Sequence, residues 1–268
     1  MSAAPRVSIV ICSIDAGKFD RVCANYRRLY ATTPIEIIGI HDARSLAEAY
    51  NRGIARARAP LLIVSHDDIE ILNDDFAARV ELHLGRFDLI GIAGTSRLIE
   101  GRWAGAGDPW VYTLVTSPFP DAQGYATVLM GGGALVASDI QALDGVFMAM
   151  RSDVARATPF DSRTFDGFHH YDLDFSFRAF QAGFRLAVCR DLVLIHESTG
   201  RYDPVWEEYN GRFEAKHRAH FPASWNAREG ARATFSAATR DEVAKRCAPG
   251  ELARVAAEIG RANAALAG

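Results

Sequence analysis

Apolar positions in the first quarter of the chain form short unbroken runs separated by helical stripes. Val7 to Cys12 (VSIVIC) is β-branched almost throughout and is bounded by Pro5 and the turn-like Ser13–Gly17, as expected of a strand buried on both faces. Phe19, Val22, Cys23, Tyr26, Leu29 and Tyr30 then recur at helical spacing up to Thr32-Thr33-Pro34, where proline forbids continuation. Ile35 to Ile40 (IEIIGI) predicts a second strand. Ser45-x-x-Glu48 fits a capping box, opening a helix through Tyr50, Ile54 and Ala57 that ends before Pro60, and Leu61 to Val64 predicts a third strand. This alternation implies parallel pairing through right-handed crossovers, with helices on both faces of the sheet. A ligand is then expected at the carboxyl ends of the strands, which are Ser13 to Gly17, His41-Asp42 and His66-Asp67-Asp68.

Further along, Leu89 to Ala93 predicts a fourth strand, and Thr95 to Pro120, rich in Gly, Pro and Trp, reads as a long functional loop. Val146 to Met150 predicts a strand, Asp174 to Ala182 a helix ended by Gly183, and Leu186 to Ile195 a final strand or strand pair. After about Thr199 the pattern changes. Thr239-x-x-Glu242 is a second capping box, and Leu252, Val255, Ala256, Ile259 and Leu266 form a stripe in an Ala-rich tail. That stripe is too narrow to make a core alone, so the tail is expected to be helical and to pack on the rest of the chain or on a second copy of it, giving a homodimer.

Composition narrows the partners. The chain has 268 residues, 49% hydrophobic and 24% charged, enough apolar material to bury a core. Thirty basic against thirty-three acidic residues give a net charge of −3, which argues against nucleic acid as a partner. No apolar run approaches the roughly 18 residues that would span a bilayer, and Met1 to Arg6 is too short and polar for a signal peptide, so a cytoplasmic location is expected. Cys12, Cys23, Cys189 and Cys247 form no C-x-x-C pair, which excludes a Cys-based zinc site and argues against a disulfide framework.

Neither G-x-G-x-x-G nor a P-loop follows the first strand. Gly131-Gly132-Gly133 could cradle phosphate or simply form a loop. The acidic strand end His66-Asp67-Asp68 concentrates like charge that a divalent cation would offset, Mg2+ or Mn2+ by the chemistry of oxygen ligands; capping of the next helix is the alternative. Asp172 and Asp174 lie beside His169 and His170 near a helix start, where they suit either capping or a general base. His196 ends a strand and could reach a shared metal. Trp103 and Trp110 could stack on a sugar or anchor their loop.

Taken in order, VSIVICS, EIIGIHDARSLAEAYNRGIARARAPLLIVSHDDIEIL, LDGVFMAMRSDV and FHHYDLDFSFRAFQAGFRLAVCRDLVLIHE resemble the family 2 nucleotide-diphospho-sugar glycosyltransferases of GT-A fold, over about the first 200 residues. The resemblance implies an α/β fold with a GT-A-like mixed, mostly parallel sheet flanked by helices. Residues 1–200 would form the transferase domain and residues 201–268 a helical C-terminal extension. It implies a metal-dependent, inverting, non-processive transfer of a sugar from a nucleotide-diphospho-sugar, a UDP-sugar first, to a glycan or other hydroxyl acceptor. Asp172 would be the base; Ser13, Asp42, Asn51, Asp67 and Trp110 would surround the nucleotide sugar; Asp68, His196 and His66 would hold Mn2+ or Mg2+. Two positions depart from the family pattern: His66 stands where the first Asp of D-x-D belongs, and Tyr171 where the Glu of the Glu-Asp pair belongs. A catalytically weak sugar-nucleotide-binding or scaffold protein would explain those departures, and a metal-dependent hydrolase using His66, Asp67, Asp68 and His196 as ligands is the other alternative, although it would normally want more ligands at fixed spacing.

Overall fold

The computed structural model describes residues 4–120, 123–198, 200 and 202–267. In chain order the elements are β1 (Val7–Cys12), α1 (Ala16–Leu29), β2 (Ile35–Ile40), α2 (Leu46–Arg56), β3 (Leu61–Ser65), β4 (Ile69–Ile71), α3 (Phe76–Leu84), β5 (Leu89–Gly91) and β6 (Ala93–Thr95). There follow β7 (Val111–Pro118), β8 (Tyr125–Met130), β9 (Val136–Ala137), β10 (Ala142–Leu143), β11 (Phe147–Arg151), α4 (Ser152–Ala157), α5 (Tyr171–Gln181), β12 (Leu186–Cys189) and β13 (Leu194–His196). The chain continues through α6 (Pro204–His217), β14 (Arg232–Ala237), α7 (Arg240–Arg246) and α8 (Pro249–Ala267).

The unbroken β-branched runs become the centre of a first sheet in the order β2-β1-β3-β11-β5-β12-β9. β1 is parallel to both β2 and β3, β11 runs antiparallel between β3 and β5, and β12 is parallel to β5, so the sheet is mixed and mostly parallel. One apolar layer packs α2 and α5 on this sheet through Tyr50, Phe160, Phe175 and Leu173; the other packs α1 and α3 through Tyr26, Phe76 and Val80. Helix ends follow their local chemistry. The Asp15 carboxylate accepts from Lys18 N–H to open α1, and the Ser45 hydroxyl accepts from Glu48 N–H to open α2. Glu48 takes the N–H of Arg44 rather than that of Ser45, so the capping box is shifted by one residue.

A second sheet, β10-β6-β7-β13-β4 with β8 on β7 and β14 on β8, stands beside the first. It corrects three expectations. The run Leu89 to Ala93 is not one strand: it breaks at Ile92, leaving β5 in the first sheet and β6 in the second. Thr95 to Pro120 is not a loop throughout, because Val111–Pro118 is an eight-residue strand. Its inward threonines disguise it; Thr113 and Thr116 are buried, and Thr116 satisfies its hydroxyl on Thr127 across the strand pair at 2.8 Å. The tail is not helical throughout, since β14 extends the second sheet; residues 199, 201 and 268 of that tail lie outside the described residues. Its helical stripe packs within the chain, with Leu252, Ala256 and Ile259 buried against Leu114, Leu129 and Val193, while Leu266 stays exposed. No helix among the described residues is long and apolar enough to cross a membrane.

Candidate active site

Beyond β3 the chain passes through His66, Asp67 and Asp68 into β4, which pairs antiparallel with β13 so that Ile69 faces His196. Glu197 N–H donates to Asp68 O at 2.9 Å, which brings Asp68 beside His196 across 128 residues of sequence. Oδ1 of Asp68 lies 3.3 Å from Nε2 of His196 and 3.8 Å from Nδ1 of His66, and the two imidazole nitrogens are 3.3 Å apart. Ligands held about 2.0–2.2 Å from one ion sit roughly 3–3.5 Å from each other. The three atoms therefore converge as one face of a coordination sphere, and two imidazoles with one carboxylate suit a divalent transition metal.

The surroundings keep His66 and Asp68 in ligating form. Burial and the neighbouring His196 hold the His66 imidazole below its ordinary range and therefore neutral. Burial alone would raise Asp68, but hydrogen bonds from His196 and Ser198 outweigh it and hold the carboxyl below the usual carboxylate range. Tyr171 OH lies 3.1 Å from Nε2 of His66 and 3.4 Å from the carbonyl of Gly145. With its proton on Gly145 O, the phenol accepts from Nε2–H, and that pattern assigns the Nδ1 lone pair of His66 to the Asp68–His196 face.

Tyr171 also opens α5, and the next residue is Asp172. The Asp172 carboxylate accepts from Gly145 N–H at 2.7 Å, while Asp144 accepts from Val146 N–H at 3.0 Å and from the indole N–H of Trp103 at 3.0 Å. One turn, Asp144-Gly145-Val146, thus holds both carboxyl groups through its backbone N–H groups. Burial and the charge of Asp144 push Asp172 up to about 7, the range in which a carboxylate is a competent base at neutral pH. Gly145 is required by close approach, because a Cβ there would collide with the hydroxyl of Tyr171 and with Cβ of Asp172.

His66, His196, Asp144 and Asp172 line one cleft of about 580 Å³, with Trp103 on its wall. Ser13 and Asp67 meet nearby, the Ser13 hydroxyl donating to Asp67 at 2.6 Å, and Lys18 Nζ stands 4.0 Å from Asp68. Asp42 is exposed and paired with Arg52 at 2.7 Å. The structure does not bring Asn51 or Trp110 to this cleft. Both amide atoms of Asn51 are taken by the backbone of Phe160, and Trp110 packs edge-on against Trp225 with Arg97 over both rings. Asp174 is fully buried rather than capping the helix: it binds His217 and Arg178 at 2.8 Å and Lys216 at 2.6 Å, tying α6 to α5. The glycine triplet is not a phosphate cradle. The carbonyls of Gly131, Gly132, Met130 and Ala134 converge on the buried guanidinium of Arg190, and positive φ at Gly131 and Gly133 makes that fan of carbonyls accessible.

The sequence model of a family described as glycosyltransferase-like matches residues 8–219. The chain belongs to that family. Among solved structures, the mannosyltransferase PcManGT from Pyrobaculum calidifontis, in complex with GDP-Man and Mn2+, is similar at a TM-score of 0.50 and 13% identity, covering 100% of this chain and 77% of that one. HddC from Yersinia pseudotuberculosis matches at a TM-score of 0.30 and 13% identity over 63% of this chain and 64% of that one. No curated protein sequence matches. Within this glycosyltransferase-like chain, sequence reasoning misses Asp144 and Trp103 as the pair that sets the environment of Asp172. The available signal is Asp144-Gly145, a turn dipeptide opening a buried strand whose neighbour is followed directly by His66.

Proposed function

We propose that this glycosyltransferase moves a sugar from a nucleotide-diphospho-sugar to an acceptor hydroxyl with inversion at the anomeric carbon. The observation that carries the reading is that His66 and His196, which converge with Asp68 on one point, line the same cleft as Asp172. Asp172 would take the acceptor hydroxyl proton as the acceptor oxygen bonds to the anomeric carbon; the bond from that carbon to the diphosphate breaks, and the nucleoside diphosphate departs with the electron pair. A divalent cation held by His66, Asp68 and His196 would supply countercharge to the diphosphate, so no acid is needed for the leaving group. Ser13, Asp67 and Lys18 border the nucleotide side, with Asp42 further out. UDP-sugars are the first donors to test, and GDP-mannose joins them because the mannosyltransferase of similar fold binds it.

The test is a thermal-shift and calorimetric panel of UDP- and GDP-sugars with and without Mn2+, on the wild type and on Asp68→Ala. Metal-dependent stabilisation that Asp68→Ala abolishes supports the reading. Nucleotide binding that is indifferent to both metal and Asp68 overturns it, and nucleotide-sugar breakdown that no added hydroxyl acceptor accelerates favours a hydrolase.

A further inference from the structure

We infer that the outer part of the cleft is a platform for a sugar ring, so that the acceptor is a neutral saccharide; this rests on the transferase reading above. Large aromatic side chains are normally covered, yet Phe168 is 54% and Tyr202 72% exposed, and both line this cleft. Trp103 and Trp206 line it too, with Tyr202 edge-on to Trp206 at a 5.0 Å centroid separation. Flat apolar faces with polar rims match the C–H face and hydroxyl edge of a pyranose, whereas a lipid chain would call for a long aliphatic channel. The charge around them also selects. Among the described lining residues the one Lys or Arg, Arg102, is engaged by Glu100 at 3.2 Å and lies over Trp206 at 5.8 Å, and the carboxylates are Asp144 and Asp172, which an acceptor carrying phosphate or carboxylate would meet as like charge.

The platform is also built in advance. His170, buried and in the left-handed region at φ 60°, binds the carbonyl of Gly101 through Nε2 at 3.0 Å and packs on Trp206 at 4.8 Å. Burial drives its pKa down to about 4, so it stays neutral and this tie holds at neutral pH. The bond joins the segment carrying Arg102 and Trp103 to the segment carrying Phe168, four residues ahead of Asp172. A strained residue at that junction fixes the two aromatic walls around the base, which lowers the ordering cost of binding.

Saturation-transfer NMR tests this on the full chain with Mn2+ and either UDP or GDP, using the methyl glycosides of glucose, galactose, mannose and N-acetylglucosamine as probes. Saturation concentrated on the hydrogens of one ring face is expected for at least one glycoside. Phe168→Ala and Tyr202→Ala, both at exposed positions that the fold tolerates, should each weaken it about threefold to tenfold without changing nucleotide affinity or Tm. Absence of saturation for every glycoside, saturation that both variants leave intact, or capture of polyprenyl-phosphate vesicles in preference to the glycosides would overturn the platform. Nucleotide binding is read in the same samples; its loss would sink the transferase reading while the glycoside data still decide the platform.

Discussion

Tyr171 and His66, the two positions at which the chain departs from the family pattern, are in contact: the phenol oxygen lies 3.1 Å from Nε2 of His66. The departures therefore act as one unit. Where the resemblance places carboxylates at both positions, this chain has an imidazole in the candidate metal face and a hydroxyl in contact with that imidazole. Tyr171→Phe keeps the ring packed against Tyr50 and Phe160 and removes only the orienting oxygen. Calorimetry should show Mn2+ affinity lowered about tenfold or more with Tm unchanged; an unaltered affinity would mean that the hydroxyl does not position His66.

Metal preference should follow the donor atoms. Two imidazole nitrogens and one carboxylate oxygen favour Mn2+, Co2+ or Zn2+ over Mg2+, by about tenfold or more in direct titration of the metal-free protein. His66→Asp replaces a nitrogen donor with an oxygen donor and should narrow that gap. Equal affinities for Mn2+ and Mg2+ in the wild type would contradict the assignment of His66 and His196 as ligands.

Asp172→Asn should lower turnover by about two orders of magnitude or more and leave donor binding in place. In the wild type, kcat/KM should rise with pH and level off above about 7, since the carboxyl must lose its proton to act. Stability runs the other way. The folded-state pKa is raised, so the group's contribution is intact below the unfolded value near pH 4 and is lost as pH rises through about 7. Asp172→Asn should accordingly raise Tm by about 2–6 °C at pH 8 and change it little at pH 4. A variant that is both active and no more stable would place the base elsewhere, with His169 the next group to examine on the same cleft.

Asp174→Asn is expected to destabilise by about 2–4 kcal/mol in chemical denaturation, because His217, Arg178 and Lys216 would lose their shared buried carboxylate. Burial alone would raise the pKa of Asp174, but those three partners outweigh it and depress it. Its stabilisation is present above about pH 4 and lost as pH falls through the depressed value. Full folding stability in this variant would show that α6 is held without the Asp174 cluster, by its apolar contacts and by the ties of Tyr209 and Arg212 to Asp166 and of Lys216 to Asp161.

The first three strands are readable because parallel strands packed under helices carry continuous apolar runs: β1, buried almost throughout, and β2, half-buried at the sheet edge, both begin and end where the hydropathy changes. β7 and β14 are not, because β7 turns Thr113 and Thr116 inward, Thr116 finding its hydroxyl partner only once β8 arrives, and two of the three inward positions of β14 are alanines, Ala233 and Ala237. The site shows the same division. Strand-end polarity singles out His66, Asp68 and His196, and the β4–β13 register supplies the proximity that no local pattern contains. The Asp144–Asp172 pairing depends on α5 approaching a glycine turn, a contact with no sequence period, and Asn51 reads as a pocket residue although its amide serves the Phe160 backbone.

The ligand atoms of the candidate metal face come from both sheets: His66 follows β3 of the first, whereas Asp68 leads into β4 and His196 ends β13 of the second. An ion there would act as a rivet between the two layers, closing a covalent and coordinate ring through them. By mass action its binding energy adds to the free energy of keeping the layers together, so thermal stability should climb with the logarithm of free metal concentration once the site begins to fill. Loading the site would thereby stiffen the seam that borders the cleft of Asp172.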